Sequence, residues 1–178
     1  LGHEQGRVAG VRGGLGVSKS LAERAFELSY SQLRSQKEDL KSLRNQASFC
    51  AAVSGLVASV FVNIANGANR TVFVDDGGGF FGFSILGMLA ILLFSLSVMF
   101  AAFVVIGWKN CIFDLNSDVF IHAKDHNRAE DEVFTQLASD SNKYFEDNEG
   151  VIDDAKCYLT NSLIFAWAQI VPWVALLT

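Results

Sequence analysis

Asp118, His122, His126 and Glu130 stand at intervals of four. On one continuous helix they would share a face. Two histidines at that spacing can hold zinc or another transition metal, with the carboxylates as further ligands. A helical metalloprotease carries Glu directly after its first His as general base. Here Ala123 occupies that place, so the hydrolytic reading lacks its base. The same spacing arises by default on a solvated helix face, and that is the reading adopted. Gly13 to Ser20, GGLGVSKS, comes close to a phosphate-binding loop. That motif needs Gly directly before the Lys and a strand ahead of it. Ser18 stands in the first place and no strand pattern in the second, so the stretch reads as linker. Cys50, Cys111 and Cys157 are odd in number and far apart, which gives neither a disulfide framework nor a zinc motif. No catalytic residue, enzyme activity or cofactor is therefore expected.

The charge distribution explains why chemistry is scarce. Charge-free runs of 25, 32 and 22 residues lie between Arg44 and Arg70, between Asp76 and Lys109, and from Cys157 onward. A soluble helix needs a polar face. A bilayer-spanning helix needs about 20 apolar residues, and its backbone must be satisfied internally. The runs lack the period-two alternation of barrel strands. They predict an all-α integral membrane protein with three transmembrane helices. No span carries Asp, Glu, Lys, Arg or His, which argues against a proton pump or ion-coupled transporter.

The expected organisation follows. Residues 1–19 read as a disordered tail or expression remnant. Residues 20–46 form a helical arm, capped by Ser18 or Ser20 and free of Gly and Pro. Phe26, Leu33 and Leu40 recur every seven residues along it, a half-formed heptad stripe for a partner helix. No breaker separates this arm from the first span. Residues 47–108 form a two-span hairpin around a short loop, 66–79. Its first span places Ala47, Ala51, Gly55 and Ser59 at every fourth position, a small-residue face suited to close helix packing in lipid. The second span, about Phe80 to Trp108, exceeds the bilayer core and should tilt or protrude. Residues 109–156 form an acidic helical segment. Within it Phe134, Leu137, Ser141, Phe145, Ile152 and Ala155 follow helical spacing, with a break expected at Gly150. The third span covers residues 157–178. Gln169 near its middle is expected to hydrogen-bond across helices, and Pro172 is the only proline.

Orientation follows from Lys and Arg, which number eight in residues 1–46, one in 66–79 and five in 109–156. The N-terminus and acidic segment are expected in the cytoplasm, with the C-terminus outside, in the inner (plasma) membrane. The first arm carries net +3 and the second net −7, so opposite charge and two apolar stripes favour arm pairing. Phe26, Leu33 and Leu40 would meet Leu137, Phe145 and Ile152.

Two stretches, FELSYSQLRSQKEDLKSLRNQASFCAAVSGLVASVF and YFEDNEGVIDDAKCYLTNSLIFAWAQIV, give a further pointer. An arm running into a span that opens with small residues, and a second arm with Asn148 before a charged stretch, resemble small bacterial antiphage membrane effectors. The transmembrane effectors of the cyclic-pyrimidine (Pycsar) systems are of this kind. The resemblance covers about residues 20–178 and rests on architecture. It implies a non-enzymatic homo-oligomer that disrupts the membrane on a cytoplasmic signal, with a cyclic nucleotide as candidate ligand, the lipid bilayer as partner and no nucleic acid. No nucleotide-binding residue transfers to this chain. An accessory subunit of a membrane complex, and a small channel or transporter, are the alternatives.

Overall fold

The computed structural model describes residues 19–67, 84–107, 110–116 and 118–177. These form five helices: α1 (Leu21–Gly67), α2 (Ile85–Ile106), α3 (Asp118–Asp125), α4 (Glu130–Ala168) and α5 (Ile170–Leu177). Residues 1–18, 68–83, 108–109, 117 and 178 lie outside the described residues, Phe80, Phe81 and Trp108 among them. Leu21–Ala65, Ile85–Ile106 and Glu130–Leu176 are each long and apolar enough to cross a membrane.

Helix α1 starts where Ser20 Oγ accepts the Glu23 backbone N–H at 3.1 Å, an N-cap. It then runs 47 residues without interruption, about 70 Å at the usual rise. The expected arm and the first apolar stretch are thus one continuous rod. Helix α4 runs unbroken for 39 residues through Gly150, so the break expected there is absent. The helix passes because its backbone hydrogen bonds need no side chain, and nothing lies within 4 Å of a Cβ built on Gly150. The interruption falls instead at Gln169, between α4 and α5. Pro172, three residues on, has no N–H to donate to the Ala168 carbonyl, and its ring crowds that group.

Helix α2 is shorter than expected. Ser84 Oγ accepts from Gly87 N at 3.0 Å at its start, and Gly107 ends it at φ 63°, where a side chain would be strained. Its 22 residues span about 33 Å, close to the thickness of a bilayer's hydrocarbon core.

The helices pack as a three-rod bundle. α1 and α4 lie parallel, offset by 109 residues at Gln36–Phe145 and by 112 at Cys50–Ser162. α2 runs antiparallel to both. Leu40, Ala47, Ala101, Val104, Ala155 and Leu159 form the central core, with Ala51, Cys111 and Tyr158 packed on it. Ala65, Ala90 and Trp173 form a second cluster at the far end. Trp173 lies 6.0 Å from Phe61, ring on ring.

Candidate functional site

Beside its apolar core, the bundle buries a layer of small polar side chains inside the stretches where the sequence is most apolar. Ser54, Ser97 and Ser162, one from each long helix, are all buried. Ser97 Oγ donates to the Ser162 carbonyl at 3.0 Å, and Ser162 Oγ donates to the Ser97 carbonyl at 2.8 Å. The Ser54 and Ser97 hydroxyls share a bond at 3.2 Å, and Cys50 Sγ lies 3.4 Å from Ser162 Oγ. A small side chain lets the backbones approach, and its hydroxyl uses the gap to bond across helices. This layer went unpredicted. The signal was present as Ser54, Ser97 and Ser162 inside charge-free runs, but isolated serines are too common in spans to single out.

Gln169 does not bond across helices as expected. It is 1% exposed, and neither Nε2 nor Oε1 finds a partner among the described residues. It lines an apolar groove of about 600 Å³ between α1 and the α4–α5 junction, together with Phe49, Val53, Leu163 and Trp167. Trp167 is 72% exposed and Phe49 71%.

The four-residue stripe divides. Ala47 is fully buried and Ala51 packs on the core. Gly55 has nothing within 4 Å of an added Cβ, and Ser59 is exposed, its hydroxyl bonded back to the Gly55 carbonyl at 2.9 Å. A stripe at every fourth residue winds slowly around a helix of 3.6 residues per turn, so its two ends face different neighbours.

Between the arms, Leu33, Leu40, Leu137 and Ile152 are buried, while Phe26 and Phe145 are half-buried. Phe26 stacks near Tyr30 and Phe134, each at 5.8 Å. Gln36 Nε2 donates to the Phe145 carbonyl at 3.1 Å. Asn148, 3% exposed, holds the segment 110–116 against the arms by a two-way clamp. Its Oδ1 accepts from Ile112 N at 3.0 Å and its Nδ2 donates to Ile112 O at 2.8 Å. That segment carries Cys111, whose burial pushes its thiol pKa up, against a smaller opposing pull from Arg44.

Compared with protein-family models, curated proteins and solved structures, this chain matches none.

The histidine stripe does not assemble. α3 ends at Asp125, and Asn127 turns the chain at φ 49° before α4 begins at Glu130. Asp118 and Glu130 therefore belong to different helices. His126 Nδ1 lies 2.9 Å from the His122 carbonyl, and the two rings stand 6.4 Å apart. Among the described residues no three His, Cys, Asp or Glu side chains come together to hold a metal. The helical spacing holds from Asp118 to His126, whose backbone N–H still donates to the His122 carbonyl at 3.1 Å, and the turn that follows takes Glu130 out of register.

Proposed function

We propose that this protein is a non-enzymatic membrane effector: a three-span inner-membrane protein that self-associates and compromises the bilayer when its cytoplasmic arms receive a signal. Bilayer insertion is supported by an inside-out distribution of polarity. Leu56, Val60, Ile85, Leu92, Ile106, Ile164 and Val171 are exposed on the three apolar stretches, while Ser54, Ser97 and Ser162 are buried between them. Water would leave so continuous an apolar surface unstable, whereas lipid covers it. The Lys and Arg distribution supports a cytoplasmic side for both arms.

The observation that carries the effector reading is continuity. α1 and α4 each pass from arm to span without a break, in parallel. A change in how the arms pair therefore passes directly into the spans, with no hinge between arm and span to absorb it. Self-association has a surface available in the groove at Gln169, where a buried amide lacks partners.

The test is regulated expression in a bacterium with a voltage-sensitive dye and colony counts. Loss of membrane potential and viability is the expected result. Polarised, viable cells with the protein confirmed in the membrane would refute the effector reading and favour an accessory subunit.

A further inference from the structure

Just before the apolar stretches begin, α1 and α4 leave a cleft of about 290 Å³ between them. Its inner wall is Gln36, 7% exposed. Donation from Nε2 to the Phe145 carbonyl fixes the carboxamide. Oε1 is then the free end, and it is buried without a partner among the described residues. Buried acceptors are almost always bonded in folded proteins.

The rim carries Asp39 from α1 and Glu149, Asp153 and Lys156 from α4. Lys156 is committed to Asp153 at 2.9 Å. That hydrogen bond, with smaller pulls from Asp39 and Glu149, holds its ammonium above the ordinary range, a sign of negative potential. Asp39 and Glu149 make no ion pair within 4 Å among the described residues. The cleft therefore offers acceptors: one buried carbonyl and two uncommitted carboxylates.

Three ligand classes can be compared on these terms. A phosphate or cyclic nucleotide would enter against three carboxylates and one already paired cation. A metal ion needs ligands gathered within about 2.6 Å, and no three carboxylates converge so closely here. A flexible organic cation suits both the spread of the carboxylates and the size of the cleft, because its separated N–H groups can reach acceptors one metal ion cannot.

We propose that this cleft binds a small aliphatic ammonium of the diamine or polyamine class, with one ammonium donating to Gln36 Oε1 and flanked by Asp39 and Glu149. Because α1 and α4 supply opposite walls, the bound cation clamps the arms together. That regulatory consequence rests on the effector reading, whereas binding itself does not.

The experiment is calorimetric titration of the full chain in lipid nanodiscs with spermidine, putrescine, magnesium and a cyclic mononucleotide. Saturable spermidine binding at one site per chain is expected, with no comparable binding of the other two classes. Gln36→Leu should weaken it at least tenfold. The exposed pair Asp39→Asn/Glu149→Gln should do the same without affecting folding. Glu146→Gln/Asp147→Asn removes equal charge from exposed positions outside the cleft and should leave affinity within twofold. Absence of saturable spermidine binding overturns the proposal, as does equal weakening by both charge pairs or tighter binding of the nucleotide. Spermidine is then added to cells expressing the protein. Binding that leaves membrane potential untouched retains the site and counts against the effector reading. Depolarisation without binding overturns the site alone.

Discussion

Replacing Gln169 by Met should stabilise the isolated protomer. Met is unbranched, close to Gln in length and without a strong donor or acceptor. The wild-type amide buries both heteroatoms with no partner among the described residues, and its side chain is 1% exposed. An unpaired buried amide costs about 1–3 kcal/mol in proteins. Interhelical hydrogen bonds in bilayers average only about 0.6 kcal/mol, because the unfolded chain in lipid finds partners too. The expected gain therefore lies near 1 kcal/mol, roughly a fivefold shift in the folded population at the midpoint. The assay is denaturation in bicelles followed by tryptophan fluorescence, at a dilution where the wild type is monomeric. At high protein-to-lipid ratio the same variant should associate less, since the amide that seeks a partner is gone. Destabilisation of the dilute variant by 1 kcal/mol or more would refute the reasoning, for it would mean that Gln169 is satisfied within its own chain.

Four further outcomes are expected. Asn148→Ala removes both bonds to Ile112, at 3.0 and 2.8 Å, so amide exchange across residues 110–116 should accelerate more than tenfold while the long helices keep their protection. Ser97→Val leaves the Ser54 hydroxyl and the Ser162 carbonyl short of a partner and should cost about 1–3 kcal/mol in the bicelle assay, with the larger share from stranded polar groups. Gly55→Leu meets nothing within 4 Å at its Cβ, so the monomer should melt unchanged while cross-linked oligomers diminish; undiminished oligomers would remove Gly55 from the association surface. Cys111 has a raised thiol pKa, so less thiolate is present at any given pH. Its maleimide labelling should lag that of exposed Cys157 at neutral pH and catch up only as the solution becomes alkaline.

Helix content and the location of the three apolar stretches were legible because charge-free runs and arm periodicity are long-range patterns averaged over many residues. The arm residues Leu33, Leu40, Leu137 and Ile152 were legible for the same reason. What escaped were features decided by single atoms. Ser84 and Gly107 trim α2 to bilayer length by one cap and one positive φ. Asn127 ends the histidine stripe by a single left-handed residue. Gly150 stays helical because its surroundings are open, whereas Pro172 acts on a carbonyl four residues earlier. The serine layer depends on which faces meet once three helices are in place, and no local pattern encodes that.

The parallel pairing of α1 and α4 also bears on how the chain is made. Its hydrogen bonds join residues 109 and 112 apart, so α1 must wait for its partner until most of the protein has been synthesised. α2 emerges earlier and can cover part of that face through Ser54 and Ser97. The reciprocal Ser97–Ser162 bonds form only when the last helix arrives. Such non-local closure is slow compared with hairpin formation. During synthesis the α1–α2 pair thus presents an unfilled polar seam until the last helix closes it.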